Sequence, residues 1–109
     1  MIHPSSKSIN RLYSVVLSLK DRDECAALFE DLCTIKEVSE MAKRMCVAKM
    51  LQENMVYTEI NEKTGLSTAT ISRINRCLKY GSDGYTEILR RLEEKGVERP
   101  DFPEKEDKA

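Results

Sequence analysis

The sequence predicts an all-α protein of about six helices. Apolar residues recur every three or four positions along most of the chain, which is the period of one face of an α-helix. They are mainly Val, Ile, Leu, Met and Ala, whereas aromatic residues make up only 6% of the chain and Trp is absent. Breaks with Gly, Asn or helix-capping residues separate the periodic stretches. At 109 residues and 40% hydrophobic content, the chain has the size of one domain with a modest core.

The first two helices are amphipathic. Helix 1 is expected from Ser8 onward, after a flexible N-terminal segment of residues 1–7, and its apolar face consists of Ile9, Leu12, Val15, Val16 and Leu19. Asp21 is the predicted cap of helix 2, because acidic residues follow it in the first turn, where the helix dipole favours negative charge. The apolar face of helix 2 consists of Cys25, Leu28, Phe29 and Leu32.

The third helix has the widest apolar surface. Thr34 and Glu37 have the spacing of a capping box, which places the helix start at Thr34. One stripe consists of Ile35, Val38, Met41, Ala42, Met45 and Ala48, and Cys46, Met50 and Leu51 widen it. A helix that is apolar on more than one side needs neighbours on more than one side. Helix 3 is therefore expected to be central and to end near Asn54.

Residues 58–80 have the pattern of a helix-turn-helix motif. Thr58 is the predicted cap of helix 4, which runs to about Thr64, and Gly65 supplies the left-handed residue of the turn. Ser67 is the predicted cap of helix 5, which runs to about Tyr80. The apolar residues expected to pack the two helices together are Ile60, Leu66, Ile71 and Ile74. In such motifs the residue of the first helix closest to the second is commonly small, and here it is Asn61.

The end of the chain contains one more helix and a polar tail. The stretch YGSDGY predicts a loop, with Asp83 as the cap of a last helix through Ile88, Leu89 and Leu92. Residues 96–109 contain two prolines and mostly charged side chains, which cannot offset the entropy cost of ordering. The predicted organisation is a helical domain over residues 8–95 followed by a disordered acidic tail.

The start of helix 5 points to sequence-specific binding of double-stranded DNA. Thr68, Ala69 and Ser72 face outward together with Asn75, and short side chains let the helix backbone approach base edges in the major groove. Basic residues that can meet phosphates follow in the same helix. The predicted DNA-binding residues are Thr58, Ser67, Thr68, Ala69, Ser72, Arg73, Arg76 and Lys79. For Ser67 alone, a plain capping role is the better explanation.

The charge distribution qualifies this interpretation without excluding it. The net charge is -1, which is unlike the basic surface expected of a nucleic-acid-binding domain. From residue 57 to 80, however, four basic side chains outnumber two acidic ones, whereas from residue 93 to 109 seven acidic side chains face four basic ones. The acidity lies mainly in the tail. A weakly charged reading motif favours a dimer with two motifs.

Other functional classes find little support. The spacing of Cys25, Cys33, Cys46 and Cys77 fits no metal site, so these residues are predicted to be buried free thiols, and no metal or cofactor is expected. A single His and the absence of a nucleophile-and-base pattern argue against an enzyme. No segment has the length of a membrane span or the pattern of a signal peptide, so a cytoplasmic protein is expected. The alternative to DNA binding is a helical protein-interaction module without DNA readout.

The order of the helices and the stretch NMVYTEINEKTGLSTATISRINRCLK resemble the Trp repressor superfamily, and within it the short YerC/YecD branch. The resemblance covers residues 9–92, and its most specific positions are Gly65, Ala69, Thr70, Ile71, Ser72, Arg73, Leu78 and Lys79. It implies an intertwined homodimer that acts as a transcriptional regulator, with repression as the expected role and activation as the alternative. It also implies base contacts from Thr68, Ala69 and Ser72 and a phosphate contact from Lys79.

The resemblance further suggests an effector pocket, which this sequence alters. In Trp repressor, an arginine at the position of Arg73 lies against the bound tryptophan, opposite a second arginine on the third helix. Here Lys43 takes the place of that second arginine, Cys33 that of a ligand-binding threonine, and Ile74 that of a glycine on the pocket floor. Lys lacks the planar face of Arg, and Ile fills the space of an indole ring. Tryptophan is therefore not expected to bind, any effector is unknown, and Arg73 is interpreted as an ion-pair or phosphate-contacting residue.

Overall fold

The computed structural model describes residues 5–96, and this part of the chain forms six helices and no strand. The prediction of an all-α fold is confirmed. The helices are α1 (Ser6–Leu17), α2 (Arg22–Leu32), α3 (Ile35–Gln52), α4 (Tyr57–Thr64), α5 (Thr68–Tyr80) and α6 (Gly84–Glu94). The chain divides into two compact units, one ending at Val38 and the other beginning at Ser39, so that α3 passes from the first into the second.

The first unit contains α1 and α2, and each is capped by a side chain. The Ser5 hydroxyl accepts a hydrogen bond of 3.0 Å from the Ser8 amide, so α1 begins at Ser6, earlier than the periodicity predicts. Residues 5–7 of the predicted flexible segment thus belong to the cap and first turn of α1, and residues 1–4 lie outside the described residues. Asp21 caps α2 as predicted, because its carboxylate accepts from the Glu24 amide at 2.9 Å.

Both ends of α3 follow from their local sequence. The predicted capping box is confirmed: the Thr34 hydroxyl accepts from the Glu37 amide at 3.0 Å, and the Glu37 carboxylate accepts from the Thr34 amide at 2.8 Å. At the other end, Asn54 adopts a left-handed φ of 65°, and the Met55 amide donates back to the Met50 carbonyl at 3.0 Å. These bonds satisfy carbonyls that the end of a helix otherwise leaves without partners.

The core of the second unit surrounds the end of α3. Five consecutive residues of α3, 46–50, are buried, so this part of the helix has neighbours on every side, as the sequence predicts for a central helix. Helix α4 packs against α5, and α5 packs against α6. The buried cluster consists of Val47, Ala48, Met50, Ile60, Ile71, Ile74 and Leu89.

Two predicted helix caps are wrong in their chemistry. Helix α4 begins at Tyr57 because the Ile60 amide already bonds to the Val56 carbonyl, so Thr58 lies inside the first turn and Val56 is a cap without a side-chain hydrogen bond. Asp83 does precede α6, but its φ of 67° is left-handed. A capping side chain needs extended backbone to reach the helix amides, and the Asp83 carboxylate makes no such bond.

The cysteines are free thiols, as predicted, but they differ in burial. Cys46 is buried, Cys25 and Cys33 are half-buried, and Cys77 is exposed, so the expectation of burial is wrong for Cys77.

None of the described helices is long and apolar enough to cross a membrane. Apart from Gly96, the predicted acidic tail of residues 96–109 lies outside the described residues.

Candidate nucleic-acid interface

A three-residue turn, residues 65–67, joins α4 to α5. Gly65 has a φ of 76°, the left-handed conformation that the sequence predicts for it, and its amide donates to the Asn61 carbonyl at 2.8 Å. A side chain on residue 65 would strain this backbone, although it would meet no atom within 4 Å. The glycine is therefore required by backbone conformation and not by lack of space.

Apolar side chains hold α4 and α5 together, as predicted. Ile60 and Ile71 have no exposed surface and Ile74 is 2% exposed, while Leu66 is half-buried against the same cluster. Ile60, Ile71 and Ile74 lie on the inner faces of the two helices, and Leu66 lies in the turn between them. They fix one face of α5 to the core and leave its opposite face exposed.

Two side chains of α4 bind the backbone of the turn. The Asn61 side-chain amide donates to the Leu66 carbonyl at 2.7 Å, and the Thr64 hydroxyl accepts from the Leu66 amide at 3.1 Å. The same hydroxyl donates to the Ile60 carbonyl at 2.8 Å, and Thr64 is only 4% exposed. The helix-turn-helix is thus closed by hydrogen bonds as well as by apolar contact. The polar Asn61, unusual at a position that is commonly small, is exposed and serves this turn.

The start of α5 presents small polar residues to solvent. Ser67 caps the helix, because its hydroxyl accepts from the Thr70 amide at 3.2 Å and lies 3.1 Å from the Thr70 hydroxyl. Thr68, Ala69 and Ser72 are exposed, and the first turn contains no acidic residue. These three side chains have no hydrogen-bond or ion-pair partner among the described residues, so they are free to meet another molecule.

Basic side chains extend from this surface along α5. Arg73, Arg76 and Lys79 are exposed, as is Lys63 at the end of α4. None of these four forms an ion pair with another residue of the described part, in contrast to Arg90 of α6, which pairs with Glu87 and Glu94 at 2.6 Å. Arg73 thus has no ion-pair partner in the described part of the chain, and its phosphate contact stays a prediction. Thr58 is also exposed, in the first turn of α4.

The residues of the predicted effector pocket have different environments. Ile74 belongs to the buried cluster with Ile71 and Leu89, Lys43 is half-buried on α3, and Arg73 is exposed on α5. The position that would form the pocket floor is thus filled by a packed side chain. Asn75, which the sequence places on the outward face, is half-buried.

A separate apolar groove lies beside α6. It has a volume of about 480 Å³ and is lined by Met45, Cys77, Ser82, Gly84, Tyr85 and Ile88. Burial raises the pKa of Tyr85, the nearby Cys77 raises it further, and Arg44 opposes both.

The sequence predicts neither this groove nor the contacts of Asn61 and Thr64. The one sequence signal for the contacts is that two residues with hydrogen-bonding side chains, Asn61 and Thr64, shortly precede the turn.

Comparison with known proteins agrees with this geometry. The sequence model of the Trp repressor protein family matches residues 7–93. The uncharacterized protein YerC of Bacillus subtilis (strain 168) is 49% identical over 92 residues, which span 84% of this chain and 88% of YerC. The crystal structure of a TrpR-like protein from Eubacterium eligens superimposes with a TM-score of 0.77 at 49% identity, covering 86% of this chain and 95% of that one. A candidate Trp repressor from Staphylococcus aureus gives a TM-score of 0.77 at 39% identity, covering 87% and 92%.

Proposed function

The chain belongs to the Trp repressor family, a family of regulators and not of enzymes, and from that premise we propose that it is a transcriptional repressor that binds a specific sequence of double-stranded DNA. The observation that carries the proposal is the exposed start of α5, where the side chains of Thr68, Ala69 and Ser72 are accessible to another molecule. In helix-turn-helix proteins this part of the second helix enters the major groove and contacts base edges.

The proposed role of each residue in DNA binding follows from the chemistry of its side chain. The hydroxyls of Thr68 and Ser72 can donate to or accept from base edges, and the methyl group of Ala69 can contact a thymine methyl. Arg73, Arg76 and Lys79 supply exposed positive charge for phosphates, which sets position and affinity but carries no sequence information. Thr58 and Ser67 lie at the starts of α4 and α5, where a hydroxyl and helix amides can meet the DNA backbone.

We further propose that the functional unit is a homodimer. No residue of α1 is buried in the single chain, and its apolar side chains are exposed, among them Leu12 at 43%, Val15 at 44% and Leu17 at 84%. The groove beside α6 is a second apolar surface that the single chain leaves open. Exposed apolar surface on this scale indicates a partner. A second copy would bring two reading helices to half-sites about 34 Å apart, one turn of DNA.

The proposed repressor does not use tryptophan as its ligand. Ile74 is packed in the core at the position that a glycine would leave open for an indole ring, and Lys43 cannot stack on that ring as an arginine can. Lys43, Arg73 and Ile74 therefore do not form a tryptophan pocket.

Selection of bound fragments from a pool of random duplexes tests the proposal. We expect enrichment of a near-palindromic site, and an affinity for it that falls steeply between 50 and 200 mM salt, as roughly expected when several phosphates are neutralised. A helical protein-interaction module would enrich no sequence, and its binding to a partner helix would depend only weakly on salt. Failure to enrich any site, at low salt and with the dimer intact, would refute the proposed function.

A further inference from the structure

The backbone of Leu66 is held on both sides by α4. Its amide donates to the Thr64 hydroxyl at 3.1 Å, and its carbonyl accepts from the Asn61 side-chain amide at 2.7 Å. The amide belongs to the peptide group before Leu66 and the carbonyl to the peptide group after it. Because both peptide planes are fixed, the two backbone torsions of Leu66 between them are fixed as well.

The hydrogen-bonding groups that hold Leu66 are themselves anchored. Thr64 is 4% exposed, and its hydroxyl donates to the carbonyl of Ile60, which has no exposed surface. The backbone carbonyl of Asn61 accepts from the Gly65 amide at 2.8 Å, so this residue binds the turn through both its main chain and its side chain. The clamp on Leu66, formed by Asn61 and Thr64, therefore connects the turn to the core.

Hydrogen bonds also fix the backbone of the residues that follow Leu66, where the chain enters α5. Ser67 caps the helix through the Thr70 amide, and its carbonyl accepts from the Ile71 amide at 3.0 Å. With Leu66 and Ser67 both fixed, the direction in which α5 leaves the turn is set by contacts within the protein. Ile74 of α5 also belongs to the buried cluster, so apolar packing within the protein supports the helix as well.

We propose that Asn61 and Thr64 are positioning residues that hold α5 in its DNA-binding orientation, so that binding requires no small-molecule effector. This inference rests on the proposed function, because the orientation matters only if α5 reads DNA. It assigns a regulatory property to the same site: the protein binds its DNA constitutively unless another event disrupts the turn.

The experiment uses the full chain, extensively dialysed, with a duplex selected from a random pool and a scrambled duplex of equal length and composition. Thr64→Val keeps the side-chain shape but removes the hydroxyl, Asn61→Ala removes the exposed amide, and Thr64→Ser keeps the hydroxyl as the conservative control. Amide hydrogen exchange at Leu66 reports whether the clamp is present in the absence of DNA. Because Asn61 is exposed, Asn61→Ala tests the inference even if Thr64→Val fails to fold.

We expect the dialysed wild-type protein to prefer the selected duplex by about a thousandfold or more. Thr64→Val and Asn61→Ala should each weaken binding to the selected duplex about tenfold, because a turn group loses its partner, and should leave binding to the scrambled duplex unchanged. Exchange at the Leu66 amide should become faster in Thr64→Val, and Thr64→Ser should behave as the wild type. A purely structural role would instead weaken binding to both duplexes in proportion to the unfolded fraction.

Three results would overturn the inference. If both variants kept the wild-type preference, the clamp would not position α5, although the protein would still be a DNA-binding regulator. If the wild type bound the selected duplex only after addition of a dialysable fraction of cell extract, an effector would be required, and again the proposed function would stand. If no sequence were bound with or without that fraction, the proposed function would fail and the inference with it.

Discussion

The side-chain amide of Asn61 donates a hydrogen bond of 2.7 Å to the carbonyl oxygen of Leu66, across the turn that joins α4 to α5. Helix-turn-helix motifs commonly have a small residue at the position of Asn61, where two helices approach each other. Here the side chain is exposed at the edge of the contact and closes the turn. A polar residue thus contributes to the motif by hydrogen bonding, whereas a small residue would contribute by close packing.

The turn glycine provides a test of backbone strain. Gly65→Ala places a side chain on a residue with a φ of 76°, so we expect the free energy of unfolding to fall by about 1 to 2 kcal/mol. Gly84→Ala is the control, since its added carbon also meets nothing within 4 Å but its φ is ordinary and it opens α6; because Gly84 lines the apolar groove, both variants are compared at the same protein concentration. The control should be neutral or should gain about 0.5 kcal/mol, because Ala loses less entropy on folding than Gly.

Urea denaturation measures both variants. The expected result is a lower midpoint for Gly65→Ala with an unchanged slope, which reports a change in stability without a change in the surface exposed on unfolding. Equal midpoints for the two variants would show that the left-handed conformation of Gly65 carries no cost.

Features that depend on neighbouring residues were predictable from the sequence. The caps at Asp21, Thr34 and Ser67 and the turn at Gly65 follow from the needs of a few adjacent backbone groups, and the structure confirms them. The apolar contact of α4 with α5 was also predictable, because helical spacing alone places Ile60, Ile71 and Ile74 on inner faces.

Features that depend on the exact path of the backbone were not predictable. Thr58 and Asp83 belong to residue types that favour caps, but Thr58 lies two positions after the cap of its helix, Val56, and Asp83 has left-handed backbone. The clamp on Leu66 depends on how Gly65 reverses the chain, which brings Asn61 within 2.7 Å of a carbonyl five residues away. The residue type of Cys77 predicts burial, but Cys77 is exposed and lines the open groove beside α6.

The exposed apolar face of α1 should be a dimer contact. Leu12→Glu places a charge on this face, where Leu12 is 43% exposed in the single chain, and we expect the dimer dissociation constant to rise at least about a hundredfold. Ser14→Glu introduces the same charge on the opposite side of α1 and should leave the dimer intact. Sedimentation equilibrium measures the mass, and the melting temperature of the wild type should rise with protein concentration. A Leu12→Glu protein with the mass of a dimer would contradict this assignment.

Thr68 and Ser72 should determine which sequence is bound. We expect Thr68→Ala and Ser72→Ala each to lose about 1 to 3 kcal/mol of discrimination at one or two positions of each half-site, since each removes a hydroxyl that contacts base edges. Thr86→Ala is the matched control, because Thr86 is also exposed but lies on α6. Selection from random duplexes should give changed sites for the first two variants and the wild-type site for the control. Unchanged sites for Thr68→Ala and Ser72→Ala would remove both residues from the reading surface.

Lys79 should contribute affinity without sequence preference. It is exposed near the end of α5 and has no ion-pair partner among the described residues, so Lys79→Ala should weaken binding to all duplexes by a similar factor. The slope of log affinity against log salt should fall by about 2, because each of the two protomers loses one phosphate contact. Lys95→Ala, which removes an exposed lysine just after α6, should change neither quantity. Relaxed specificity in Lys79→Ala, with the salt dependence unchanged, would reassign Lys79 to base readout.

Tryptophan should neither bind the dimer nor increase its affinity for DNA. Ile74 is 2% exposed within the buried cluster, so an indole ring at that position would have to displace its side chain or move α5, and overpacking of this kind costs about 1 to 3 kcal/mol. Lys43 in place of an arginine removes a planar stacking face worth about another 0.5 to 1 kcal/mol. Together these losses would weaken a micromolar ligand by roughly tens to hundreds of fold. Calorimetric titration with L-tryptophan should therefore show no binding at micromolar concentration, and the DNA affinity should be the same with and without it. Micromolar binding with a matching gain in DNA affinity would show that Ile74 moves aside to open a pocket, and that α5 needs a ligand in addition to the clamp on Leu66.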